Sequence, residues 1–248
     1  MLTDDQLRQF ATDGYIVVPG VVSEELLASA DVEIDELVAE DPPPATTVGP
    51  HFYFLPPERL PAADDALRSS GALALADELT APLELDLELD HIQVALNIPP
   101  YSHVPGGPHI DGHRPDEPVW SFTMLAAIYL SDETEPGSGN LWVWPGSHLG
   151  HQRVFEERGV DALVPASGHV DFLQPPVHVG VSRPVLAQRG DLLLAHYLLG
   201  HNTSGNTTDH VRRILYYRLG AEGHRDRWAD TFVDVFTEYA PVRAVATK

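Results

Sequence analysis

Apolar positions recur along this chain with a helical spacing first and a strand spacing later. Thr3-Asp4-Asp5-Gln6 reads as a capping box, with Leu2 and Leu7 placed as a hydrophobic staple, and Leu7 and Phe10 share one face of a short helix ending near Asp13-Gly14. Tyr15 to Val18 predicts a strand stopped by Pro19-Gly20. Ser23-Glu24-Glu25 opens a second helix whose acids suit its N-terminal dipole, and Leu26, Leu27, Ala30, Ile34, Leu37 and Val38 give it an apolar face to about Ala39. From Asp41 to Pro61 the chain is proline-rich, carries His51-Phe52-Tyr53-Phe54, and predicts an irregular segment, either a lid or binding loop or a coil covering a sheet. Ala66 to Leu79 returns to helical spacing, interrupted at Gly71.

The period then changes to two. Leu83 to Asp90 alternates strictly and predicts a half-buried strand with an acidic outer face, while Ile92, Val94 and Leu96 alternate with Gln93, Ala95 and Asn97 up to Pro99-Pro100. Trp120 to Leu130 is a nearly continuous apolar run suited to a strand in a barrel core, Glu135 to Asn140 is a turn, and Leu141 to Trp144 is a strand closed by Pro145-Gly146-Ser147-His148. A polar stretch to about Pro176 predicts a helix near Phe155 to Val160. Arg189-Gly190-Asp191 turns into an apolar strand from Leu192 to His201, and after a turn the chain returns as a strand from Val211 to Leu219. Helices followed by short strands with Gly/Pro turns predict a mainly β sandwich or barrel with flanking helices. No internal repeat or linker divides the chain, so one domain is expected over 1–248.

Composition narrows the function. The 248 residues are 43% hydrophobic, enough for one large core, and contain no cysteine, which excludes disulfides, thiolate metal sites and a cysteine nucleophile. The 15 basic and 37 acidic residues give a formal charge of −22, a sign that repels nucleic acid and anionic membranes and favours a small-molecule partner. The start lacks a basic, apolar leader and no apolar run is long enough for a membrane span, so a cytoplasmic, reducing location is expected.

Candidate chemistry centres on Pro105-Gly106-Gly107-Pro108-His109-Ile110-Asp111-Gly112. In an extended backbone His109 and Asp111 share a face, and two histidines with one carboxylate on one face, with open positions opposite, bind non-haem iron(II). His169-Val170-Asp171 is a competing pair. The third ligand is expected at His201, where a strand opens into a Gly/Asn/Thr turn; His196, five positions earlier, falls on the opposite face of a regular strand. The 92 positions from His109 to His201 leave room for four strands, whereas His169 leaves only 32 and several prolines, so the earlier pair is preferred. Eleven positions past His201 stands Arg212, whose guanidinium on a core-facing strand calls for an anion, with Arg213 directed to solvent.

His109, Asp111, His201 and Arg212, with Asn206 between the last two, resemble the phytanoyl-CoA dioxygenase family of iron(II)/2-oxoglutarate oxygenases. The turn Asn202 to Asn206, the run Gly139 to His148 and the opening Gln6 to Val18 carry the same likeness. The resemblance implies a double-stranded β-helix, or cupin-like jelly-roll. In it His109, Asp111 and His201 would bind iron, and Arg212, helped by the Thr203 hydroxyl, would bind the distal carboxylate of 2-oxoglutarate. Dioxygen would be the second co-substrate. Related halogenases have a small residue in place of the acid, so Asp111 implies hydroxylation or another oxidation of a small molecule. A CoA ester is not expected at −22 without a basic site for its phosphates. Gln93, Asn97 and Trp142, with Phe52 and Tyr53 of the proline-rich segment, are candidate substrate contacts. Two other readings stay open, a jelly-roll metalloenzyme that does not use 2-oxoglutarate and a non-catalytic binding protein on the same fold.

Overall fold

An antiparallel sheet buried on both faces organises the chain. The computed structural model describes residues 1–111, 121–163 and 180–246. The main sheet runs in the order β1 (Tyr15–Val18), β8 (Leu192–His196), β5 (Met124–Tyr129), β10 (Arg212–Ala221), β4 (Ile92–Ile98) and β2 (Gly49–Leu55), with β3 (Leu85–Asp86) on the far end of β10. A smaller sheet has the order β7 (Arg183–Pro184), β6 (Leu141–Val143) and β9 (His201–Thr203).

Strand alternation divides the side chains of the main sheet between two cores. Met124, Ala126, Ile128, Leu192, Leu194, Leu215, Tyr217 and Leu219 pack on the helices α1 (Asp4–Asp13), α2 (Glu24–Glu40), α3 (Pro61–Arg68) and α4 (Ala72–Thr80). Their neighbours Leu125, Ala127, Tyr129, Leu193, Ala195, Ile214 and Tyr216 join Leu141 and Val143 of the smaller sheet in the second core. A sheet covered on both sides explains the unbroken apolar runs in β5 and β8. It also gives β10 a simple rule: even-numbered residues face the smaller sheet.

The helical starts follow the sequence closely. Thr3 caps α1 with the full capping box and Gly14 ends it in the left-handed conformation, while Ser23 caps α2. Four expectations need correcting. The segment around His51 to Phe54 is the edge strand β2, paired with β4 from Gly49 to Leu55 rather than irregular, because an edge tolerates Pro50 with no N–H to donate. The alternating run from Leu83 to Asp90 yields only Leu85–Asp86, since Glu88 N–H turns onto Asp86 Oδ1 and Arg68 takes the Leu87 carbonyl. The helix expected near Phe155 begins earlier, as α5 (Ser147–Arg158). Two further helices, α6 (His224–Val233) and α7 (Ala240–Ala246), follow β10, past the last element read from the sequence.

The fourth correction positions the site. Leu192 to His201 is not one strand. The chain leaves the main sheet at His196, reverses, and begins β9 of the other sheet at His201. His196 makes the reversal, its Nδ1 accepting from Leu198 N–H and its carbonyl from Leu199 N–H, both at 2.9 Å. Its Nε2 donates to the Val235 carbonyl, and burial pushes its pKa down to about 4 despite that bond, so it is a neutral, packed histidine.

Candidate functional site

His109 and His201 form an isolated antiparallel bridge, His109 N–H donating to the His201 carbonyl at 2.9 Å and His201 N–H returning to His109 at 3.0 Å. Directly opposed residues project to the same side, which brings the two rings to 4.4 Å between centroids. Asp111, two residues beyond His109, joins them: each imidazole Nε2 is 3.4 Å from Asp111 Oδ1. One potential ligand atom from each of the three lies within 4.8 Å of the others. His169 and Asp171 lie outside the described residues.

The three side chains suit a divalent ion. Nitrogen and oxygen ligands about 2.1 Å from a metal and at right angles to one another are about 3 Å apart, close to the spacing of these atoms. His201 Nδ1 donates to the Leu199 carbonyl at 2.9 Å, which leaves the Nε2 lone pair for a ligand bond. Burial alone would raise the Asp111 carboxyl, but the Arg218 guanidinium and both histidines hold it well below the usual carboxylate range. Burial, with the charge of His201, lowers the His109 pKa. For His201 burial is outweighed by Asp111, which raises it. Two imidazoles and one ionised carboxylate are a donor set for non-haem iron.

The set opens on a cavity of about 320 Å³. The β10 rule places Arg212, Tyr216 and Arg218 along one wall, with Leu125 of β5 and Leu141 of β6 as apolar surface and Thr203 two residues beyond His201. Arg212 is 1% exposed. Its Nε donates to the Gly139 carbonyl at 2.9 Å and its Nη1 to that of Ala95 at 3.4 Å, while Nη2 has no acceptor among the described residues. Gly139 sits at φ +82°, and a Cβ there would be 3.1 Å from Asn97 and 3.2 Å from the Arg212 Cβ, so only glycine lets this carbonyl reach the guanidinium. Arg213 points the other way, onto Asp31 and Asp35 of α2 rather than into open solvent.

Of the candidate substrate contacts, Gln93 and Phe52 line the cavity, joined there by Phe54 of β2, which the sequence reading did not single out. Three others are placed elsewhere. Asn97 is fully buried, donates to the Ser204 carbonyl at 2.8 Å and ties β4 to the loop after β9. Trp142 alternates with Leu141 and Val143, which face the core, and so takes the opposite face of the smaller sheet. Tyr53 is turned to the helical core, its hydroxyl donating to the Asp41 carbonyl.

Arg218 is the site residue that the sequence reading missed. It lies on the cavity face six positions past Arg212, donates from Nη2 to Asp111 Oδ2 at 2.6 Å, and stacks near the rings of Phe54 and Phe122. Strand alternation from Arg212 is the signal that finds it. Holding Oδ2 leaves Oδ1 directed at the two histidines. We expect Arg218→Met to lower iron(II) affinity about 10- to 100-fold, the usual cost of losing a residue that orients a ligand. A competition titration against a chelator checks this, and unchanged affinity would rule the role out.

Among curated proteins, none matches the chain by sequence. HygX from Streptomyces hygroscopicus, solved with nickel and 2-oxoglutarate, is similar at a TM-score of 0.60 and 23% identity, over 89% of this chain and 87% of that one. The epimerase SnoN, solved with Fe3+, alpha ketoglutarate and nogalamycin RO, is similar at 0.63 and 21%, over 88% and 82%. The carbocyclase SnoK from nogalamycin biosynthesis is similar at 0.60 and 20%, over 88% and 84%. At these identities the likeness is one of fold, and the fold is the jelly-roll expected from the sequence. Residues 10–214 match the phytanoyl-CoA dioxygenase (PhyH) family directly. With that match over most of its length, the chain belongs to the phytanoyl-CoA dioxygenase family, the non-haem iron oxygenases that use 2-oxoglutarate.

Proposed function

We propose that this protein is an iron(II)- and 2-oxoglutarate-dependent dioxygenase that hydroxylates, or otherwise oxidises, a small molecule and releases succinate and carbon dioxide. The carrying observation is one cavity with His109, Asp111 and His201 on one side and the buried Arg212 on its wall. Iron with 2-oxoglutarate and dioxygen would supply the oxidising chemistry, coupling decarboxylation of the keto acid to oxidation of the substrate.

The chain's own residues do the binding and orienting. His109 Nε2, Asp111 Oδ1 and His201 Nε2 would hold the iron, with Arg218 fixing the carboxylate and the Leu199 carbonyl fixing the His201 tautomer. Arg212 offers Nη2 to the distal carboxylate of 2-oxoglutarate, and the Thr203 hydroxyl lies in the same cavity to assist. Because Arg212 is shielded from water, an anion there meets a charge that solvent does not screen. Leu125 and Leu141 supply buried apolar walls beside the reacting centre, and the exposed Phe52 and Phe54 form an apolar rim for the substrate. Gln93 adds a polar contact for the substrate. HygX and SnoN have been solved with hygromycin B and nogalamycin RO, which favours a small organic molecule over a macromolecule here too.

Protein purified without oxygen and then given iron(II), 2-oxoglutarate and dioxygen is expected to release succinate. Metal-dependent turnover that ignores 2-oxoglutarate would instead identify a jelly-roll metalloenzyme of another class, and absence of metal binding a binding protein.

A further inference from the structure

Glu133 is the one wholly buried acid next to Arg212 among the described residues, and the chemistry above does not use it. It is 0% exposed, and neither carboxylate oxygen has a hydrogen-bond partner. The nearest cation is Arg212, Nε to Oε1 at 3.8 Å, too long for a hydrogen bond. Its backbone is fixed, with Glu133 N–H donating to the Ala187 carbonyl at 2.8 Å and its carbonyl accepting from Asn140 Nδ2 at 3.0 Å, so the side chain is held inside. The titratable groups acting on this corner are Arg212 and Tyr216 from β10 and Tyr129 from β5, whose buried hydroxyl also lacks a partner.

An ionised carboxylate with no hydrogen bond is among the costliest groups to bury, whereas a neutral acid costs far less. The guanidinium spends its Nε and Nη1 on backbone carbonyls, not on Glu133. We propose that Glu133 is carried as a neutral acid beside Arg212, which keeps the arginine's charge for the co-substrate's distal carboxylate, and that an ionised Glu133 competes with that carboxylate. The inference rests on the functional reading above and adds a residue that sets when the co-substrate site is open. Burial, opposed by Arg212, raises the Glu133 pKa to about 8, in accord with the unpaired geometry.

The sign follows from linkage. A bound dianion beside Glu133 favours its protonated form, so binding is insensitive to pH where the acid is already neutral and takes up a proton above that range. In iron(II)-loaded protein titrated calorimetrically with 2-oxoglutarate under nitrogen, the dissociation constant is expected to be flat to about pH 8 and then to rise about tenfold per pH unit. Comparing buffers of different ionisation enthalpy should show about one proton taken up in that upper range. Glu133→Gln should bind 2-oxoglutarate with neither the slope nor the proton. A metal-bound water would titrate equally in both proteins, so a slope retained in Glu133→Gln overturns the inference, as does a flat profile in the wild type. If no 2-oxoglutarate binds at any pH, the functional reading fails and this inference with it; tight, pH-independent binding sinks the inference alone. Infrared spectra of the ligand-free protein provide a second check. A protonated-carboxyl band at neutral pH that is absent from Glu133→Gln is expected, and its absence from the wild type overturns the assignment.

Discussion

Replacing Asp111 with alanine is expected to abolish turnover and to lower iron(II) affinity by more than about 100-fold, beyond the cost of losing an orienting neighbour. The substitution removes the only anionic member of the candidate ligand set and leaves two imidazoles facing the cavity. It also strips Arg218 of the carboxylate it holds at 2.6 Å, so a guanidinium would then stand beside the metal uncompensated. Like charge at that range disfavours a cation strongly in a partly buried site. Asp111 lies in a bend outside every helix and strand and only its side chain is removed, so the fold should survive. Metal retained after dialysis, measured beside a circular dichroism spectrum, checks the prediction; iron affinity within a few-fold of wild type would exclude Asp111 as a ligand.

Replacing Arg212 with lysine is expected to weaken 2-oxoglutarate binding about 100-fold while leaving iron affinity unchanged. Losing a hydrogen bond between charged groups costs about 1.5–3 kcal/mol, the upper end of which corresponds to about that factor. Lysine keeps a positive charge but not the planar fork that bonds two carbonyls and still offers Nη2 to the cavity. Alanine is the poorer probe, because it would leave the Gly139 and Ala95 carbonyls without a donor in the core, at about 1–3 kcal/mol each. Calorimetric titration of the iron-loaded variant measures the effect, and wild-type affinity would show that the co-substrate carboxylate sits elsewhere.

Much of this site can be read from the chain because its parts follow period-two geometry. His109 and Asp111 are two apart, and Arg212 and Arg218 are six apart on one strand, so alternation alone assigns each pair to a face. The position of His201 was legible only as a turn-proximal histidine. Its actual placement depends on His196 turning its ring onto the Leu198 N–H as the chain passes into the other sheet, which no periodicity encodes. The edge strand β2 is hidden by Pro50 and by the prolines that flank it, although an edge is where proline costs least. Trp142 is a candidate substrate contact from the sequence, yet the parity set by Leu141 and Val143 turns it away from the cavity. Glu133 gave no signal in the sequence either, as an acid in a loop reads as solvated until the structure shows it buried.

The most direct test is a crystal structure of the protein grown without oxygen in iron(II) and 2-oxoglutarate. We expect one metal ion bound by His109 Nε2, Asp111 Oδ1 and His201 Nε2, and the distal carboxylate of the co-substrate on Arg212. A metal held by other residues, or a co-substrate bound away from Arg212, would contradict the assignment.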